Sequence, residues 1–170
     1  MTVWDRPEPP TRPVPLDRDR IVAAAIALAD EGGLQEVSLR KVAARLDAGP
    51  MRLYGFISTK EELFDLMLDA VQGEILPGER GGETPGRPGA QQRHWRQALH
   101  DLAHGTRAAA LRHEWLADLL GGRPPLGPNG LALTEATLAA LDGLTDIDTV
   151  MRAVETVSSY TTGAIRREIA

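Results

Sequence analysis

Apolar residues recur three or four positions apart along most of this chain, and glycine- and proline-rich breaks interrupt the recurrence. The first run places Ile21, Ala24, Ala25, Leu28 and Ala29 on one helical face. Asp17 stands where a short polar side chain caps a helix start, and Gly32-Gly33 stop the helix. Leu34 and Val37 are expected as plugs between elements. A second, shorter run buries Val42, Ala43 and Leu46, with Ser38 as its cap and Asp47-Ala48-Gly49 as the following turn. Pro50 suits the first position of a third helix, where its missing N–H would be unpaired anyway. Leu53, Tyr54 and Ile57 are the expected buried side of that helix. Ser58-Thr59-Lys60-Glu61-Glu62 offers two overlapping capping boxes. They open a fourth helix that runs to about Ile75, with Leu63, Phe64, Leu66, Met67, Ala70 and Val71 forming a broad apolar face.

The segment PGERGGETPGRPGAQQ, residues 77–92, is rich enough in glycine and proline to read as a flexible loop between two domains. Beyond it the pattern predicts helices over about 91–110, 113–121, 129–142 and 146–169, separated by the GGRPPLGP and DGLTD breaks. No run alternates apolar and polar residues in the manner of a strand. The expected fold is all-α. A proline-rich extended arm (1–16) precedes a three-helix helix-turn-helix head (17–76); a loop (77–90) leads into a helical ligand-binding and dimerisation body (91–170).

Composition narrows the chemistry. The chain has no cysteine, which removes disulfides, thiolate metal sites and cysteine nucleophiles. Its proline-rich start carries no apolar signal segment, and no apolar run reaches the length of about 18 residues that a membrane span needs. A cytoplasmic protein with no membrane partner is expected. No G-x-S-x-G, phosphate-binding loop, HExxH or paired-carboxylate arrangement is present, so an enzyme is not expected. Charge is unevenly spread. Residues 38–60 hold Arg40, Lys41, Arg45, Arg52 and Lys60 against Asp47 alone, a net of +4 in a chain of −5. A compact basic helix-turn-helix on an acidic body points to a polyanion, most simply duplex DNA.

The stretch LDRDRIVAAAIALADEGGLQEVSLRKVAARLDAGPMRLYGFISTKEELFDLML resembles the DNA-binding domain of the TetR family of transcriptional regulators. The resemblance covers about residues 16–72. It rests on I-x-x-A-A in the first helix, the glycine pair, S-L-R-x-V-A-x-x-L, the L-Y pair and K-E-E-L opening the fourth helix. GRPPLGPNGLALTEATLAAL and VETVSSYTTGAIRREI are similar to the C-terminal domain of the tetracycline-repressor subgroup. The resemblance implies a homodimer on a palindromic operator, with one recognition helix per half-site. It also implies a small-molecule effector, bound in the body, that changes the head spacing and releases the DNA. Four departures stand out. Asp47 occupies a position that is commonly glycine, and Gly55-Phe56 replaces a frequent aromatic–histidine pair. The positions that help hold the drug–magnesium complex in the tetracycline repressor fall near Leu119 and Arg167, so that metal-dependent ligand chemistry is not expected. The family normally adds a further long dimer helix after the point matching Ala170, which implies either a shortened chain or altered dimerisation.

Candidate DNA contacts follow. Arg52, in the recognition helix, either reads guanine bidentately or binds phosphate. Gly49, Pro50 and Met51 begin that helix, where such helices touch bases. Met51 either meets a thymine methyl or covers the core. Gly55 offers close backbone approach, or is a weak spot in the helix. Tyr54 is implied to bond a phosphate while its ring packs inward, and Lys60 to bind phosphate at a helix N-terminus. Ser38 and Arg40 would face the backbone of the flanking strand. In the body, Trp95, His100, His104, Trp115 and Tyr160 are candidates for the ligand pocket or for plain packing. His100 and His104 share a helix face at metal-binding spacing, but no third ligand accompanies them, so no metal is expected. Val150, Val154, Val157, Thr161 and Ala164 resemble a dimer-helix face, and equally an ordinary core face. No cofactor is expected.

Overall fold

A computed structural model describes residues 15–76, 90–124, 126–141 and 146–170, with the backbone alone for 90–94. The expected arm and the 77–90 loop lie almost wholly outside these residues. Eight α-helices, one 3₁₀ turn and no strand occur among the described residues.

Local chemistry sets the helix boundaries of the head. In α1 (Arg18–Gly32) the Asp17 carboxylate accepts a hydrogen bond from the Arg20 amide at 2.8 Å. Gly33 ends the helix at φ 81°, a conformation that costs a glycine little and that L side chains rarely adopt. A 3₁₀ turn (Leu34–Glu36) follows, and Val37 is fully buried. In α2 (Leu39–Arg45) Ser38 Oγ accepts from the Lys41 amide at 3.2 Å. Asp47 then turns the chain at φ 50°, in the left-handed region that glycine favours and aspartate tolerates. This explains why glycine is common at that position in the family the sequence resembles.

Helix α3 (Pro50–Leu53) is a single turn, with Pro50 at its start. Helix α4 (Lys60–Ile75) opens on a double cap: Thr59 Oγ1 accepts from the Glu62 amide at 3.0 Å, and Glu62 Oε2 accepts from the Ser58 amide at 2.8 Å. One expectation fails in α3. Leu53 and Ile57 are buried, but Tyr54 is 52% exposed. A single helical turn has room for one inward side chain. Tyr54, one residue beyond Leu53, is rotated by about 100° to the outside, and the chain leaves the helix at that point.

The body comprises α5 (Ala90–Arg112), α6 (Leu116–Leu119), α7 (Pro128–Leu141) and α8 (Ile147–Ile169). Helix α4 packs on α1 in the head and on α5 and α7 in the body. Its buried Asp69 accepts from the Gly130 amide at 2.9 Å and from Asn129 Nδ2 at 3.1 Å, so α4 supplies the cap for the start of α7. A methyl group on Gly105 of α5 would stand 2.9 Å from Ile75 Cγ2, so the end of α4 and α5 approach more closely than a side chain permits. One buried apolar cluster runs from Ile21, Val42, Leu53 and Met67 to Ala109, Trp115, Leu116 and Ile165. A smaller cluster holds Leu99, Ala140, Leu141 and Val150.

Candidate nucleic-acid interface and ligand cavity

The turn between α2 and α3 and the first residues of α3 form an exposed edge of the head. Gly49, Pro50, Arg52 and Gly55 are exposed there, beside Tyr54, and Arg40 is exposed near the start of α2. Met51 is 80% exposed, so it does not cover the core. Ser38 is partly buried by its capping role. Lys60, also partly buried, occupies the first position of α4, with Nζ 3.4 Å from the Leu34 carbonyl oxygen and 5.1 Å from the centre of the Phe64 ring. The open N–H groups of the α4 start add partial positive charge beside it.

The basic character of the segment is narrower than its composition implies. Lys41 pairs with Glu36. Arg45 makes a two-pronged contact with Glu31, Nη1 to Oε2 at 2.8 Å and Nη2 to Oε1 at 2.6 Å. That hydrogen bond holds the Glu31 carboxyl below its usual range and raises Arg45. Both acidic partners lie just upstream of residues 38–60, so the window hid them. Arg40, Arg52 and Lys60, the other basic residues of this segment, lie in α2, in α3 and at the start of α4.

In the body, α4 to α8 border an open-sided cavity of about 620 Å³. Leu68, Gln72 and Ile75 of α4 line it, with Leu102 and Thr106 of α5, Leu119 of α6, Leu133, Thr134 and Thr137 of α7, and Val154, Val157 and Thr161 of α8. None of the five residues expected in a pocket lines this cavity. Trp95 packs on the small cluster around Leu99 and Leu141. His100 and His104 lie on the exposed side of α5, their rings stacked 4.1 Å apart. Tyr160 is 73% exposed. Trp115 is buried, and its Nε1 donates to Asp30 Oδ1 at 2.7 Å. His113 Nδ1 lies 2.7 Å from the same oxygen. Aromatic size therefore pointed to packing and to the head–body contact. Small hydroxyl residues on otherwise apolar helix faces were the signal that marked the cavity.

The face of α8 expected at a dimer interface is largely occupied within the chain. Val150 is buried against α5 and α7, Val154 and Val157 flank the same cluster, and Thr161 faces the cavity. Ala164 is partly buried. Periodicity identified an inward face correctly but not which helices it meets. Among the described residues of α8, Ile147 and Met151 are exposed on one flank and Tyr160 on the other.

Residues 87–169 match the tetracyclin repressor-like, C-terminal domain family. Apo ActR from Streptomyces coelicolor superimposes with a TM-score of 0.78 and 31% sequence identity, over 93% of this chain and 71% of that one. An HTH-type transcriptional regulator of Saccharopolyspora erythraea is 40% identical across 98% of this chain and 67% of its own length. The chain belongs to the TetR family of transcriptional regulators. Another relative, the HTH-type transcriptional repressor DrrR1 of Streptomyces coeruleorubidus, is 40% identical across 98% of this chain. This chain spans 60% of DrrR1's length. ActR has also been solved in complex with actinorhodin, with 30% identity to this chain and a TM-score of 0.76. In this TetR-family chain no helix among the described residues is long and apolar enough to cross a membrane.

Proposed function

We infer that this protein is a cytoplasmic, homodimeric repressor that binds a palindromic operator and leaves it when a small molecule enters the body cavity. One observation carries the reading: a single helix runs from the exposed edge of the head to the cavity of the body. Helix α4, sixteen residues long, begins at Lys60, beside the exposed edge of the head, and ends as a wall of the cavity through Leu68, Gln72 and Ile75. A ligand that displaces that wall moves the head, because α1 packs on the same helix. ActR crystallised with actinorhodin supports a small-molecule effector for a protein of this fold. Each head would place α3 in a major groove, with the two half-sites about one DNA turn (~34–36 Å) apart. Arg52 and Met51 would meet base edges, while Ser38, Arg40, Tyr54 and Lys60 would hold the backbone. The reading involves no cofactor, metal or catalytic step.

Selection of binding sites from random duplex DNA at near-physiological salt tests this directly. The expected winner is a near-palindrome bound about 10³-fold or more tightly than scrambled DNA. Weak binding with no consensus overturns the reading.

A further inference from the structure

Helix α4 is held near its start as well as at its end. On the head side, Thr59 and Glu62 cap its first turn. On the body side it meets Arg123, in the stretch between α6 and α7. Gly121, Gly122 and Arg123 of that stretch border the cavity, and the backbone turns there at Gly121, φ 76°. From this rim the Arg123 side chain reaches back to α4. Its Nη1 donates to the Glu61 carbonyl oxygen at 3.1 Å and pairs with the Asp65 carboxylate. Glu61 is the residue next to Lys60.

A ring joins the same group of contacts. Arg123 Cζ lies 5.8 Å from the centre of the Phe64 ring, and Lys60 Nζ lies 5.1 Å from that centre. Lys60 and Phe64 are four residues apart, as are Glu61 and Asp65, so the four form adjoining strips over the first two turns of α4. A planar guanidinium set against a carboxylate, a backbone carbonyl and an aromatic ring is fixed in direction as well as in place. The Asp65 side chain is 62% exposed, so the ion pair adds little to the stability of the fold. Its consequence is geometric: it sets where the first turn of α4 stands relative to the cavity rim.

We propose that Arg123 is a positioning residue for DNA binding, which fixes the first turn of α4, and Lys60 with it, against the rim of the cavity. The inference rests on the operator reading above and adds a second link to it. Leu68, Gln72 and Ile75 act on the far part of α4, whereas Arg123 acts one residue from Lys60. A shift of the Gly121–Arg123 rim therefore reaches Lys60 without passing along the helix.

The test measures the affinity of the full chain, at near-physiological salt, for the duplex that wild type selects. It compares wild type, Asp65→Ala, Arg123→Gln and Lys60→Ala, and each of the first two changes combined with Lys60→Ala. Asp65 decides by sign. On charge alone, removing a carboxylate near the DNA-facing end of α4 tightens binding to a polyanion. A brace predicts the opposite: Asp65→Ala and Arg123→Gln should each weaken binding by about fivefold. In the Lys60→Ala background each should stay within about twofold of Lys60→Ala alone, because residues that act as one unit are not additive. Melting temperatures should barely move, since the pair is exposed, and Asp65→Ala carries the test if Arg123→Gln does not fold. Unchanged or tighter binding by Asp65→Ala overturns the inference. So does an Arg123→Gln loss that persists in full without Lys60, which makes Arg123 a phosphate contact of its own. A Lys60→Ala protein that binds as wild type does also overturns it. If wild type selects no operator, the operator reading fails first and takes the inference with it.

Discussion

Leu53, Ile57 and Leu63 in the head have essentially no exposed surface, whereas Leu102, Leu133 and Val157 in the body border an open-sided cavity of about 620 Å³. Both sets lie on helices with the same three-and-four apolar periodicity. The head fills its interior, and its helix starts are fixed by Asp17, Ser38 and Thr59. The body uses longer helices and leaves space between them. Periodicity tells which side of a helix turns away from water; it does not tell whether a neighbour reaches it. A DNA-reading unit has its chemistry on the outside, on a rigid frame. A ligand-sensing unit has its chemistry on the inside, where tight packing would exclude the ligand.

The largest test of this contrast is a pair of truncations. Leu53→Ala should cost about 2–5 kcal/mol, because its neighbours cannot collapse into the gap. Leu133→Ala, which only enlarges a space already present, should cost about 1 kcal/mol or less. Urea unfolding of both variants measures the difference, and equal losses would erase the distinction between a filled and a hollow interior. Next come the head's outward groups. Arg52→Ala is expected to relax preference at one base position per half-site by about 1–3 kcal/mol in repeated site selection. Lys60→Ala should instead weaken binding to all sequences and reduce the salt slope by about 1, because it removes a phosphate contact. A sequence-selective loss with an unchanged slope would refute that role.

Smaller again is Asp47→Gly, which relieves a left-handed residue in the head and should add up to about 1 kcal/mol of stability, seen as a higher melting temperature. The smallest effect should be the same in both regions. Glu31 in the head and Glu168 in the body each have a carboxyl held below its ordinary value of 4.5 by a hydrogen bond, from Arg45 and Arg107 respectively. A lowered folded-state value means that the stability from each pair is present above 4.5 and is lost as pH falls through the folded value. The melting-temperature gap between wild type and Glu31→Gln, or Glu168→Gln, should therefore be open at neutral pH and close in acid. Both pairs are exposed, so salt should shrink it further.

Much of the scaffold was legible because it is local. Asp17, Ser38, Thr59, Pro50 and Gly33 act within a few residues, and each sits where the sequence places it. Tyr54 was misplaced because α3 stops after one turn, and a periodic argument assumes that the helix continues. The partners of Lys41 and Arg45 were missed because Glu36 and Glu31 lie outside the window whose charge was counted. The cavity was illegible for a deeper reason. Gln72, Thr106, Thr137 and Val157 sit on four helices far apart in the chain. No spacing within any one helix announces that they converge.

The contact among Asp30, His113 and Trp115 has an optical consequence. Of the chain's three tryptophans, Trp115 is 3% exposed and shares a hydrogen bond with α1 of the head, while Trp95 is only partly buried and Trp4 lies outside the described residues. Any motion that parts the head from the α5–α6 corner strips that indole of its acceptor and wets it. The molecule thus contains its own fluorophore at the joint, and its emission maximum and quenching by iodide register head displacement without an attached label.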